Sequence, residues 1–288
     1  MSIEAREARQ PWILLSPAFG ALTLLLFLPL MFIVVYSFWL RSAVGADQVG
    51  FHLDNWLRVL TDDFYHYILL NTLKIAAITT VLCALMGYPA AYFVARAQGN
   101  KVLMLLLLML PFWISYIIRT MSWITILGSS GALNSALMWT GVLSEPIRML
   151  YTEATVILGL VHFLLPFMIL NIFVSLDGLD TNLEDAANSL GATRWQAFTQ
   201  VTLPLSTPGL AAGGLLCFVL AAGTYITPLI LGGPRDAMFA NLIYEAIITQ
   251  LNWPLGSAMS LALLLVLGAL IMAYNRFLGL SRLTRGLG

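Results

Sequence analysis

Six apolar stretches, each long enough to cross a bilayer as a helix, leave this chain few folds to choose from. They fall at residues 13–38, 68–95, 102–127, 154–176, 209–231 and 257–277. A bilayer core of about 30 Å needs roughly 20 helical residues. With 60% hydrophobic and only 10% charged residues, against roughly 25% charged in a soluble domain, the apolar excess is surface for lipid, not an oversized core. The expectation is an all-α integral membrane protein with six transmembrane helices, residues 1–288 forming one transmembrane domain with no soluble domain at either end. Arg6 and Arg9 precede the first run as they would in a secretory signal. A signal's apolar region spans only about 7–15 residues, however, so this run reads as a retained span.

Orientation follows from lysine and arginine in the short loops, which favour the cytoplasmic side. Arg6, Arg9, Arg96, Lys101, Arg194, Arg276, Arg282 and Arg285 fall on one side, and Arg41, Arg58, Arg148 and Arg235 on the other. The first set marks the cytoplasm, which puts both termini and the 177–208 loop inside. The outer loops carry Asp47, Asp54, Asp62, Asp63, Glu145, Glu153, Asp236 and Glu245. Such carboxylates are either simply solvated or steer a cationic solute or a basic docking patch.

Absences narrow the function. The net charge is zero, so no bulk basic field argues for nucleic acid. No glycine precedes a lysine, which excludes a phosphate-binding G-x-x-x-x-G-K-[ST] loop. His52, His66 and His162 are too scattered for a metal cluster, and Cys83 and Cys217 sit in apolar runs as small core residues do. None of the six runs contains Asp or Glu, whereas an ion-coupled carrier usually needs intramembrane carboxylates. His162 could titrate in such a carrier, or it is a satisfied helix–helix contact. Apart from Arg276, one residue from the end of its run, Lys74 and Arg119 are the charged residues inside the runs. Each lies in the outer part of its span, where it either snorkels to the interface or lines a pathway.

The 177–208 loop has helix signals of its own. Thr181 to Glu184 and Thr193 to Gln196 each have the capping-box form. Leu183, Ala186, Ala187 and Leu190 make a narrow apolar stripe, and Gly191 offers the positive φ of a helix stop. Trp195, Phe198 and Val201 line a second short helix, which Pro204 and Pro208 are expected to end before the fifth span. An interfacial helix on anionic lipid wants Lys and Arg on its polar face. Here that face carries Asp180, Glu184, Asp185 and Asn188, so docking to a protein is favoured.

These residues resemble the EAA loop of binding-protein-dependent ABC importer permeases: Glu-Ala-Ala, three residues, Gly, nine residues, an aliphatic residue, any residue, Leu-Pro. Asp185, Ala186, Ala187, Gly191, Val201, Leu203 and Pro204 occupy the pattern, with Asp for Glu and Val for Ile. Asn71-Thr72-Leu73, Pro111-Phe112-Trp113, Ile118-Arg119-Thr120 and Ile226-Thr227-Pro228-Leu229 resemble the spermidine/putrescine branch. The resemblance implies a non-catalytic permease subunit of the bacterial inner membrane, set in lipid and paired with a second, similar permease as a heterodimer. It also implies two ATPase subunits, which hold the ATP and Mg so that this chain needs no cofactor, and an extracytoplasmic solute-binding protein. Glu184, Asp185, Ala186, Ala187, Gly191, Arg194, Leu203 and Pro204 would then couple to the ATPase.

For a cationic amine, aromatic faces and carboxylates at the mouth are suitable partners. Trp113, Tyr116, Trp123 and Tyr225, with Arg119, Asn171 and Glu245, are the pathway candidates. The aromatics would serve equally in an interface belt or the bundle core. Arg119 argues against a purely cation-selective wall, which keeps opines and amino-acid-like solutes open. An ion-coupled carrier is the rival from another class.

Overall fold

The computed structural model describes residues 10–42, 45–180 and 182–278. Arg6, Arg9, Arg282, Arg285, both termini and Thr181, the start of the first capping box, lie outside the described residues. The described part is almost entirely helical. Five helices are long and apolar enough to cross a membrane, and a bent pair, Lys101–Trp113 with Tyr116–Trp139, makes a sixth span if counted as one.

The chain divides into two compact units. One comprises the described residues up to Asp62 together with Ile243–Leu265. It holds α1 (Gln10–Tyr36), a two-stranded antiparallel hairpin of β1 (Leu40–Arg41) and β2 (Asp47–Gln48), and α2 (Asp54–Thr61). Trp56 Nε1 donates to Ser37 Oγ at 3.2 Å and Asn55 Nδ2 to the Trp39 carbonyl at 2.9 Å, which fixes α2 against the end of α1.

The other unit comprises Asp63–Leu242 and the described residues from Val266 on. Its frame is α3 (Asp63–Arg96), α7 (Glu153–Asp177) and α10 (Leu203–Gly223), which pack on one another. Between α3 and α7 the chain forms α4 (Lys101–Met109), a 3-10 turn (Leu110–Trp113), α5 (Tyr116–Leu127) and α6 (Ala132–Trp139). Val156, Leu160, Leu164, Met168, Ile172 and Leu176 recur every fourth residue along α7, all buried, and form one ridge. Small residues meet it from α10: Gly209, Gly213 and Cys217, whose thiol donates to the Leu164 carbonyl at 3.6 Å. Cys83 donates likewise to the Val161 carbonyl at 3.9 Å, so both cysteines are core residues, as expected from their apolar settings.

Two expected spans are corrected. The third is not one helix: the chain bends by 80° after the 3-10 turn at Leu110–Trp113, with Ile114 and Ser115 extended. Pro111 lacks the N–H of a regular α turn; the chain tightens there to the 3-10 turn and leaves the helix at Ile114. The fifth span, expected at 209–231, starts earlier and stops sooner. Helix runs from Arg194 to Gly223, breaks at Thr224 and Tyr225, and resumes as α11 (Ile226–Leu231).

Pro204 and Pro208 therefore do not end the preceding helix. A π turn at Phe198–Thr202 precedes Pro204, where the Leu203 N–H reaches back to the Phe198 carbonyl. Ser206 and Thr207 hydroxyls both donate to the Leu203 carbonyl at 3.1 Å. A widened ladder is one way bundles tolerate proline. Past α11, α12 (Phe239–Tyr244) and a π turn (Glu245–Thr249) lead to α13 (Trp253–Leu278), which opens four residues before the expected 257.

Candidate functional site

Two groups of side chains stand apart from the packing frame. The first is the elbow of α8 (Asn182–Ser189) and α9 (Arg194–Ala197). Gly191 has φ +93° and joins them. Its N–H bonds the Asn188 carbonyl at 3.0 Å, and the Ala192 N–H bonds the Ala187 carbonyl at 3.1 Å. These two bonds complete a Schellman stop. Thr193 then caps α9: its hydroxyl accepts from the Gln196 N–H at 3.3 Å, and Gln196 Oε1 accepts from the Thr193 N–H at 2.8 Å.

The elbow keeps one side for itself and leaves another open. Phe198 sits edge-on to Tyr88 and Tyr92 of α3, with ring centroids 5.7 and 5.6 Å away. Trp195 stacks on Phe198 at 5.5 Å yet stays 71% exposed. Leu183, Asp185, Ala186, Gly191, Arg194 and Pro204 are exposed, Ala187 and Leu203 partly so, and Leu190 is 90% exposed. Glu184 departs from this pattern. Its carboxylate accepts from Arg96 at the end of α3 and from Thr202 Oγ1, the latter at 2.6 Å. Sequence spacing pointed to Glu184 as a cap and a docking residue, and gave no sign of these distant donors.

The second group lies around the two helix breaks. The Tyr116 hydroxyl at the start of α5 bonds Thr227 Oγ1 and, at 3.3 Å, Thr224 Oγ1. Its ring lies 4.4 Å from that of Phe163 on α7. Arg119 is only 7% exposed, which corrects its placement as a side chain reaching for the interface. Its guanidinium lies 5.7 Å from the Phe163 centroid, and its buried Nε and Nη1 have no hydrogen-bond partner among the described residues. The fold of α5 onto α7 holds it there. Phe163 and Phe167, four residues apart and 6.0 Å between rings, extend this wall. Neither stood out in the sequence, because a phenylalanine pair at helical spacing reads as core.

The other candidates are scattered. Trp113, in the 3-10 turn, is 77% exposed. Trp123 donates from Nε1 to His162 Nδ1 at 3.2 Å, which makes His162 a satisfied helix–helix contact. Asn171 donates to the Phe167 carbonyl of its own helix at 2.8 Å. The Tyr225 carbonyl, at the break, accepts from Asn241 at 2.8 Å. Glu245 belongs to the other unit and is exposed, with Gln250 donating to it at 3.4 Å. Lys74 does not snorkel freely. It pairs with Glu153 across α3 and α7 at 2.6 Å.

No family model matches the chain. It is 38% identical over 258 residues to the spermidine/putrescine transport system permease protein PotB of Escherichia coli (strain K12), covering 89% of this chain and 94% of that one. The PotB of Haemophilus influenzae is 36% identical over 259 residues, covering 90% of each. The fold is similar to a crystal structure of a bacterial alginate ABC transporter in complex with an alginate pentasaccharide-bound periplasmic protein. The TM-score is 0.74 at 19% identity, covering 94% of this chain and 95% of that one. The length and identity of the PotB match, together with six apolar segments on an importer fold, settle the family: this chain is a multi-pass inner-membrane protein belonging to the ABC importer permeases that include PotB.

Proposed function

We propose that the chain forms half of the translocation path for spermidine, putrescine or a related small amine, driven by separate ATPase subunits. Support for the solute comes from the PotB relatives. Support for the drive comes from the elbow: a helix fixed to the bundle on one side while Leu183, Ala186, Leu190 and Trp195 lie uncovered on the other. Uncovered apolar side chains grouped at a helix elbow mark a protein contact. We assign this face, on the cytoplasmic side, to an ATPase subunit holding ATP and Mg. A second, different permease and an extracytoplasmic solute-binding protein complete the assembly.

Trp113, Tyr116, Arg119 and Tyr225, all of one unit, are assigned to the pathway wall. A second reading, an amino-acid-like or opine solute, is favoured by one observation. Arg119 holds a buried positive charge with no carboxylate paired to it among the described residues. Burying an unpaired charge costs several kcal/mol in effective terms, and a solute bearing a carboxylate beside its amine would offset this.

Reconstitution with the partner subunits tests both readings. ATP-dependent uptake of putrescine that ornithine does not inhibit supports the polyamine reading; the reverse preference supports the second. Uptake driven by an ion gradient without ATPase subunits overturns the importer mechanism. Trp113→Ala should lower uptake roughly fivefold through loss of one cation–π contact, while the exposed indole leaves folding unaltered. Normal uptake in both Trp113→Ala and Tyr225→Ala removes these residues from the pathway.

A further inference from the structure

We infer that Arg96, Glu184 and Thr202 form a positioning node that carries movement of the elbow into α3 and α10. The inference rests on the importer reading above and reassigns Glu184 from the ATPase contact to the permease interior. Glu184 lies on α8, Arg96 at the end of α3, and Thr202 in the π turn that leads into α10. One carboxylate oxygen, Glu184 Oε1, takes both donors. It is the atom at which three elements meet.

The surroundings make this link stiff. The Arg96 and Glu184 side chains are only 19% and 22% exposed, and Thr202 is buried. Charge-assisted bonds in such a setting are stronger than exposed ones. The Arg96 guanidinium also lies 5.8 Å from the Tyr92 ring centroid, which fixes it from a second side. Phe198 wedged against Tyr88 and Tyr92 supplies an aromatic clasp beside the ionic one. The Tyr88 hydroxyl adds a bond to Ser206 Oγ of α10 at 2.6 Å. The neighbouring Lys101–Asp177 pair, at 2.7 Å, joins α4 to α7 instead.

The geometry separates gripping from transmitting. Successive helix residues lie about 100° apart, so Glu184 stands off the Leu183, Ala186 and Leu190 stripe that remains open. A push on that stripe must reach the spans through α8. A loose side-chain link would let α8 pivot about Gly191 and absorb the stroke. A bonded one displaces the inner ends of α3 and α10 together.

The test measures solute imported per ATP hydrolysed by the full complex in proteoliposomes, with co-purification of the ATPase subunits as the second readout. Arg96→Gln and Thr202→Val should each retain the ATPase subunits and continued hydrolysis, while the import ratio falls about tenfold, within the range of contact coupling energies. The double charge swap Arg96→Glu with Glu184→Arg should bring the ratio back towards wild type, and Thr202→Ser should stay close to it. A normal ratio in Arg96→Gln and Thr202→Val overturns the node. So does loss of the ATPase subunits in step with uptake, which would make it a docking contact, or a charge swap that restores nothing. Wild-type uptake that needs no ATP would instead overturn the importer reading itself.

Discussion

Replacing Gly191 with tryptophan is expected to abolish ATP-driven uptake while leaving the membrane bundle folded. Gly191 holds φ at +93°, in the left-handed region, and completes the Schellman stop of α8. A side chain there costs about 1–2 kcal/mol on backbone grounds alone. A Cβ at Gly191 would meet nothing within 4 Å, so neighbours neither clash with the substitution nor support it. The indole would instead project beside Leu190, in the middle of the uncovered face. Backbone strain and bulk then act on the same contact. The two are separable: Gly191→Asn, which tolerates this φ, should keep most uptake, and Gly191→Ala should lose part of it through strain. Uptake assays paired with recovery of the ATPase subunits decide the matter. A tryptophan variant that assembles and transports normally would remove the elbow from the docking surface.

The success of the sequence at Gly191 and its silence about the donors to Glu184 have one cause. A Schellman glycine and a Thr193–Gln196 box are determined within five residues, so local composition specifies them and the folded chain contains both. Long apolar runs are similarly legible, because bilayer thickness sets their length regardless of neighbours. Glu184 meets Arg96 across 88 positions of sequence and Thr202 across 18, and no periodicity records such a meeting.

Proline was ambiguous for the same reason. Pro111 stands in a 3-10 turn that runs into a break and Pro204 inside a continuous helix, and what differs is the π turn that precedes Pro204. Arg119 shows the limit most plainly. Its position near a span's outer end suggested escape to the interface, whereas the bend at 114–115 lays α5 onto α7 and closes Phe163 over it. Tertiary contact, not position along the span, decided its environment.

Gly209→Leu is expected to eliminate the folded subunit from the membrane. A Cβ at this position would fall 2.5 Å from the Asn171 carbonyl oxygen and onto the Ser175 side chain. Four residues on, a Cβ at Gly213 would lie 2.9 Å from Met168 Sδ. The thioether can shift; the Asn171 carbonyl belongs to helix backbone and cannot. In a bilayer, where lipid is as apolar as leucine, close approach of helix backbones is a main source of association. Separating α10 from α7 therefore removes contacts that no solvent effect replaces. Overpacking typically costs about 1–3 kcal/mol in a core that can relax, and more where it cannot. The consequence extends past stability, because the same helix runs from Arg194 through the π turn to Gly223. A displaced α10 would take Thr202 and the elbow with it. Gly268→Ala is the control, since a Cβ there meets nothing within 4 Å. Size-exclusion profiles of fluorescently tagged subunits should show the control as a single peak and Gly209→Leu as aggregate or nothing, with Gly213→Ala between them. A monodisperse Gly209→Leu subunit would mean that α7 and α10 do not approach this closely, and would undercut the route by which elbow motion reaches the spans.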